Sequence, residues 1–143
     1  MSARRKARKR ALDVLFGADV KEITLAQALE EAEVIAAREP ERASSWNYAR
    51  ELVTGVIDHR LDIDDLLAQT STSWPLNRMP AVDRAVLKLA VWEILHNPDV
   101  PPGVSISEAV ELVSELSTEA SGPFVHGVLA AIAEGRSGDS LQT

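Results

Sequence analysis

Arg4, Arg5, Lys6, Arg8, Lys9 and Arg10 put six cations into the first ten residues, with no carboxylate among them. Guanidinium and ammonium groups at that density suit phosphates, on nucleic acid or on an anionic membrane surface. The whole chain has 15 Lys and Arg against 22 Asp and Glu, a net charge of -7, so everything beyond residue 10 is strongly acidic. An acidic body repels polyanions, which makes the basic start a separate electrostatic device. Short basic runs also occur as solvated tails, so charge alone leaves both readings open.

Other chemistries find little support. Without cysteine there is no disulfide framework, thiolate zinc site or cysteine nucleophile. His59, His96 and His126 are scattered too widely for a helical zinc motif, and a metal centre is not expected. Phosphate-cradling GxxxxGK, dinucleotide GxGxxG, GxSxG and HExxH motifs are all missing, which argues against an enzyme and against a bound cofactor. Acidic pairs such as Asp64 with Asp65, or Glu30 with Glu31, read as solvated helix faces. No apolar run approaches the ~20 residues of a membrane span, and a soluble cytoplasmic protein is expected.

The elements that must hold the basic cluster are helices. Many alanines, few aromatics and only seven glycines favour helix over strand. Ala7, Ala11, Val14, Leu15 and Ala18 form one apolar stripe, and Leu25, Ala28, Leu29, Ala32, Ile35 and Ala36 a second. Ala49, Leu52, Val53, Val56 and Ile57 form a third, Ile63 through Leu67 a short fourth, and Val82, Val86, Leu89, Ala90 and Ile94 a fifth. Thr24 with Gln27 and Ser105 with Glu108 read as capping boxes, while Pro80 and Pro123 suit first-turn positions.

About seven all-α helices follow, as one domain over 1–134: four in an N-terminal half, 1–72, and three in a C-terminal half, 78–134. Residues 135–143 lack an apolar stripe and read as a disordered tail. On a helical wheel Phe16 lies roughly 160° from Ala18, the middle of the buried stripe, beside Arg5 and Lys9, with Leu12 at roughly 120° extending the patch. An exposed aromatic among cations suits a protein anchor or a base-stacking platform.

Five blocks in order carry a family resemblance: Ala7 to Phe16 (ARKRALDVLF), Glu51 to Arg60 (ELVTGVIDHR), Trp74 to Leu95 beginning WPLNRMP, Val104 to Leu112 (VSISEAVEL) and Phe124 to Leu129 (FVHGVL). Together they resemble the bacterial NusB transcription antitermination family over nearly the whole chain.

The resemblance implies two packed three-helix bundles. It also implies binding of single-stranded boxA RNA in ribosomal RNA leader transcripts, jointly with the ribosomal protein NusE, to help the transcription elongation complex pass terminators. By position it implies phosphate contacts from Arg4 through Arg10, RNA contacts from Phe124, His126 and Gly127, and NusE contacts from Phe16 and Asp83. His126 and Ser107 stand where the family usually has asparagine, and a neutral histidine matches asparagine's donor and acceptor pair in one tautomer only. Two alternatives are an accessory domain like that of ribosomal RNA cytosine methyltransferases, and a helical oligomerisation module, including a homodimer that covers the RNA face.

Overall fold

Helix formation follows the apolar stripes closely. A computed structural model describes the backbone of residues 2–142 and the side chains of residues 2–135. Among these there are seven α-helices, one short 3-10 turn at Pro40–Arg42 and no strand: α1 (Ala3–Lys21), α2 (Leu25–Ala36), α3 (Ala43–Asp58), α4 (Arg60–Thr70), α5 (Ala81–His96), α6 (Pro102–Leu116) and α7 (Ser121–Gln142). The chain divides into two compact units, residues 1–59 and 60–143.

In the first unit α1, α2 and α3 pack on one another. The stripe from Ala7 to Ala18 is buried as expected, against Trp46, Ala49, Leu52, Val53 and Val56 of the third helix. Each fully buried Leu or Val contributes about 1.5–3 kcal/mol. The Thr24–Gln27 capping box forms in both directions and fixes the start of α2. That helix packs shallowly: only Ala28 is buried, and Ile35, expected inside, is exposed. Polar ties compensate. Trp46 Nε1 donates to Glu33 Oε2 at 3.1 Å, and Arg50 reaches the same carboxylate through Nε and, at 3.0 Å, through Nη2. The Arg50 guanidinium also lies 5.8 Å from the centre of the Trp46 ring.

The second unit is organised around α5, which packs against α4, α6 and α7 and buries ten of its residues. The sequence groups α4 with the N-terminal helices, but the break at His59 places it here, against α5 and α7. Between α4 and α5 the chain is held by Arg84, whose Nη1 donates to the Leu76 carbonyl at 2.8 Å. The proline-rich connection after α5 turns on Asn97, whose side-chain oxygen accepts from the Asp99 amide at 3.1 Å.

Two helix ends differ from expectation. The sixth helix starts at Pro102, so Ser105 lies inside it with a buried hydroxyl instead of capping it. A proline at the first helical position gives up an amide that has no helical partner, and it moves the start upstream. The seventh helix continues as helical backbone to Gln142 through the stretch read as a tail, because elongating an existing helix adds one hydrogen bond per residue fixed. Thr143 lies outside the described residues.

Candidate nucleic-acid interface

The first turn of α1 opposes its own helix dipole. Ser2 caps the helix by accepting from the Arg5 amide at 3.1 Å, and the turn holds no acid. Cations at a helix N-terminus are disfavoured, typically by about 0.3–1 kcal/mol each. Arg4, Arg5 and Lys6 sit there nonetheless, so helix end and side chains concentrate positive potential at one place. Such a breach of a local rule is expected where an anion is to be bound.

The six cations are not equivalent. Arg4 is exposed and its guanidinium lies 5.0 Å from the centre of the Tyr48 ring, and Lys6 is exposed. Arg5, Lys9 and Arg10 are half-buried, and Arg10 Nη2 meets Glu39 Oε2 at 3.4 Å. Arg8 is a correction to the sequence reading: at 6% exposure it belongs to the interior, facing the same way as Ala7 and Ala11. Next to the cluster lies a cavity of about 410 Å³ lined by Lys6, Lys9, Arg10 and Arg42 together with Ser44 and Ser45. The sequence reading missed Arg42 and both serines, which belong to the turn before α3 and to its start. The one available signal was the run Arg42-Ala-Ser-Ser before an apolar stripe.

Phe16 is 40% exposed on α1, as the wheel requires, close to exposed Val20 one turn on. Leu12, placed in the same patch, is 3% exposed and therefore core. A wheel assumes one neighbour, whereas α1 packs against both α2 and α3 and buries a wider arc.

The remaining candidates lie in the second unit. Phe124 is half-buried with its ring edge-on to Trp74, centroids 5.0 Å apart. His126 and Gly127 follow it on the exposed side of α7. A Cβ at Gly127 would meet nothing within 4 Å, so packing does not demand glycine there, although glycine costs about 1 kcal/mol in a helix relative to alanine. The gap leaves backbone open to close approach by a ligand.

Asp83 is a further correction. It was expected to offer a surface carboxylate, yet it is 0% exposed, with Oδ2 accepting from Ser121 Oγ at 2.8 Å. The first turn of α7 covers it. No group of three or more His, Asp or Glu able to hold a metal occurs among the described residues, and none of their helices is long and apolar enough to cross a membrane.

Comparisons with known proteins agree over almost the whole chain. A family model described as the NusB family matches residues 5–134. The transcription antitermination protein NusB of Leifsonia xyli subsp. xyli is 56% identical, over 97% of this chain and 96% of that protein. Its counterpart in Clavibacter sepedonicus is 54% identical over 93% and 97%. Among solved structures, T. maritima NusB superposes with a TM-score of 0.80 at 34% identity, covering 94% of this chain and 92% of that one. A crystal structure of antitermination factors NusB and NusE in complex with dsRNA gives a TM-score of 0.79 at 28% identity, covering 94% and 98%. The chain belongs to the NusB family.

Proposed function

We propose that this chain is a cytoplasmic transcription antitermination adaptor. It binds boxA-type single-stranded RNA in nascent ribosomal RNA transcripts together with NusE, and so helps RNA polymerase read through terminators. The observation that carries this reading is the near full-length match to NusB proteins, including the solved assembly of NusB and NusE with RNA. An adaptor that positions two ligands needs surfaces and no catalytic group, in keeping with a chain that lacks recognisable catalytic motifs.

The surfaces divide by chemistry. Arg4, Arg5, Lys6, Lys9 and Arg10 supply phosphate contacts, which hold RNA without reading it. Phe124, His126 and Gly127 supply the second RNA-facing group: a ring for stacking, an imidazole for a base edge and bare backbone for close approach. Phe16 supplies the NusE anchor, since an exposed aromatic is the residue type that dominates protein interfaces. The acidic remainder of the chain suppresses nonspecific adhesion to bulk nucleic acid.

A fluorescence anisotropy titration of boxA-like single-stranded RNA, with and without NusE, tests the reading. Modest affinity alone and clear tightening with NusE are expected, because each ligand completes the other's surface. Equal affinity for boxA and scrambled RNA under both conditions would reduce the chain to a generic polyanion binder.

A further inference from the structure

Glu39 Oε2 is shared by two arginines from different elements: Arg10 Nη2 of α1 at 3.4 Å and Arg42 Nη1 of the 3-10 turn at 3.3 Å. The fold therefore brings two guanidiniums together on one anionic oxygen, and Glu39 is itself only half-buried. Beside them the cavity of about 410 Å³ is lined by those two arginines, Lys6 and Lys9, with Glu41 as the acid in its wall. Counting Glu39 as well, four cations face two carboxylates, an excess of positive charge in a protein whose net charge is -7. The volume lies in the range of about 300–1,000 Å³ typical of small-ligand pockets.

The wall opposite α1 is polar. Ser44 and Ser45 line it, and Ser45 Oγ donates to the Arg42 carbonyl at 3.0 Å, which fixes the backbone that carries Arg42. The third helix begins at this wall with no side-chain cap, so the positive end of its dipole borders the same space.

We propose that this cavity is a seat for one phosphate group, held by Lys6, Lys9, Arg10 and Arg42, and that Glu39 is an internal anion which competes with the phosphate for the two arginines. The inference rests on the RNA-binding reading and adds to it a place, three residues outside the basic cluster (Arg42, Ser44 and Ser45) and a built-in competitor. A guanidinium fork matches phosphate oxygens better than a single shared carboxylate oxygen, so an entering phosphate displaces Glu39 and leaves it to solvent. The phosphate is either a phosphodiester of the RNA backbone or free inorganic phosphate.

The test uses the full chain and three variants: Arg42→Gln, Glu39→Gln and, as a charge-matched control outside the cavity, Arg38→Gln on the exposed residue after α2. Anisotropy measures affinity for single-stranded boxA-like RNA across a salt series. Arg42→Gln is expected to weaken binding by about three- to tenfold and to reduce the magnitude of the salt slope by about 0.7, one phosphate contact on a single strand. Glu39→Gln is expected to tighten binding by about two- to fivefold, the range that release from a surface ion pair supports. Arg38→Gln should stay within about twofold of wild type, because Arg38 is exposed and does not line the cavity, and a solvated charge without a direct contact contributes little.

Amide NMR shifts of Arg42 to Ser45 then identify the source. Shifts induced by RNA assign the seat to the backbone phosphodiester, and shifts induced by inorganic phosphate alone assign it to free phosphate. A loss from Arg38→Gln as large as that from Arg42→Gln overturns the seat in favour of a diffuse field. So does the absence of shifts with either ligand. Failure of the RNA-binding reading looks different: the wild-type chain would bind boxA and scrambled RNA equally with NusE present, while the inorganic phosphate arm would still decide the seat.

Discussion

Ser121 Oγ donates a 2.8 Å hydrogen bond to Asp83 Oδ2, and both residues are 0% exposed. The same hydroxyl accepts from the Thr118 amide at 3.2 Å and lies 2.8 Å from Thr118 Oγ1, so its one proton goes to the aspartate while its lone pairs serve the turn before α7. Asp83 thus ties the start of α5 to the first turn of α7, the helix that carries Phe124 and His126. Asp83→Lys would put an ammonium where a carboxylate accepts a hydrogen bond, in a space closed to water. The new ammonium would be a buried charge with no opposite charge to compensate it, and a loss of about 3–5 kcal/mol is expected in urea unfolding. Asp83→Asn keeps an acceptor for Ser121 and should lose less than about 1.5 kcal/mol. Equal stability of Asp83→Lys and wild type would mean that the carboxylate is not the tie described.

Burial of Asp83 was hidden from the sequence because its cause, Ser121, lies 38 residues away. The same limit governs the rest of the site. Residues on one helix reported their own exposure: the stripe from Ala7 to Ala18 and the outward Phe16 follow from a single wheel. Leu12 broke the wheel because a second neighbouring helix widened the buried arc. Arg42, Ser44 and Ser45 were illegible beside Lys6 and Arg10, since only the packing of α3 on α1 makes them neighbours. The order of the helices was legible almost throughout, as apolar periodicity is local. Their grouping was not, and α4 went to the wrong half because the His59 break carries neither glycine nor proline.

Phe16 separates binding from folding. It is 40% exposed, so truncation removes little core contact. Phe16→Ala should cost about 1–3 kcal/mol of NusE affinity, the usual range for an aromatic anchor, in titration calorimetry with NusE alone. The melting temperature should hardly change. A fall of many degrees with NusE affinity intact would make Phe16 a core residue.

The link between Glu33, Trp46 and Arg50 sets a pH dependence. Hydrogen bonds from Arg50 hold the Glu33 carboxyl below its ordinary value of 4.5, with Trp46 helping and partial burial opposing. A folded-state value below the unfolded one gives stability that is present above 4.5 and is lost as pH falls through the lower, folded value. Both side chains are more than a third exposed, so the contribution is screened and should stay under about 1 kcal/mol. Melting curves on either side of that window should therefore show wild type losing slightly more stability on acidification than Glu33→Gln. Identical acid limbs would show the carboxylate to be energetically idle.

The unequal burial of the basic cluster yields a double dissociation. Arg4 and Lys6 are exposed, whereas Arg8 is only 6% exposed. Replacing Arg4 and Lys6 together by alanine removes two phosphate contacts, so the magnitude of the salt slope for single-stranded RNA should fall by about 1.4, at about 0.7 per contact. The melting temperature should change little, because exposed charges and one cation–π contact to Tyr48 contribute about 1 kcal/mol or less. Arg8→Ala should do the reverse. It strips packing from a buried position, costing about 1–3 kcal/mol of stability, while the salt slope stays that of wild type. If Arg8→Ala flattens the slope as much as the double variant, the side chain reaches RNA and its burial is not maintained when RNA binds.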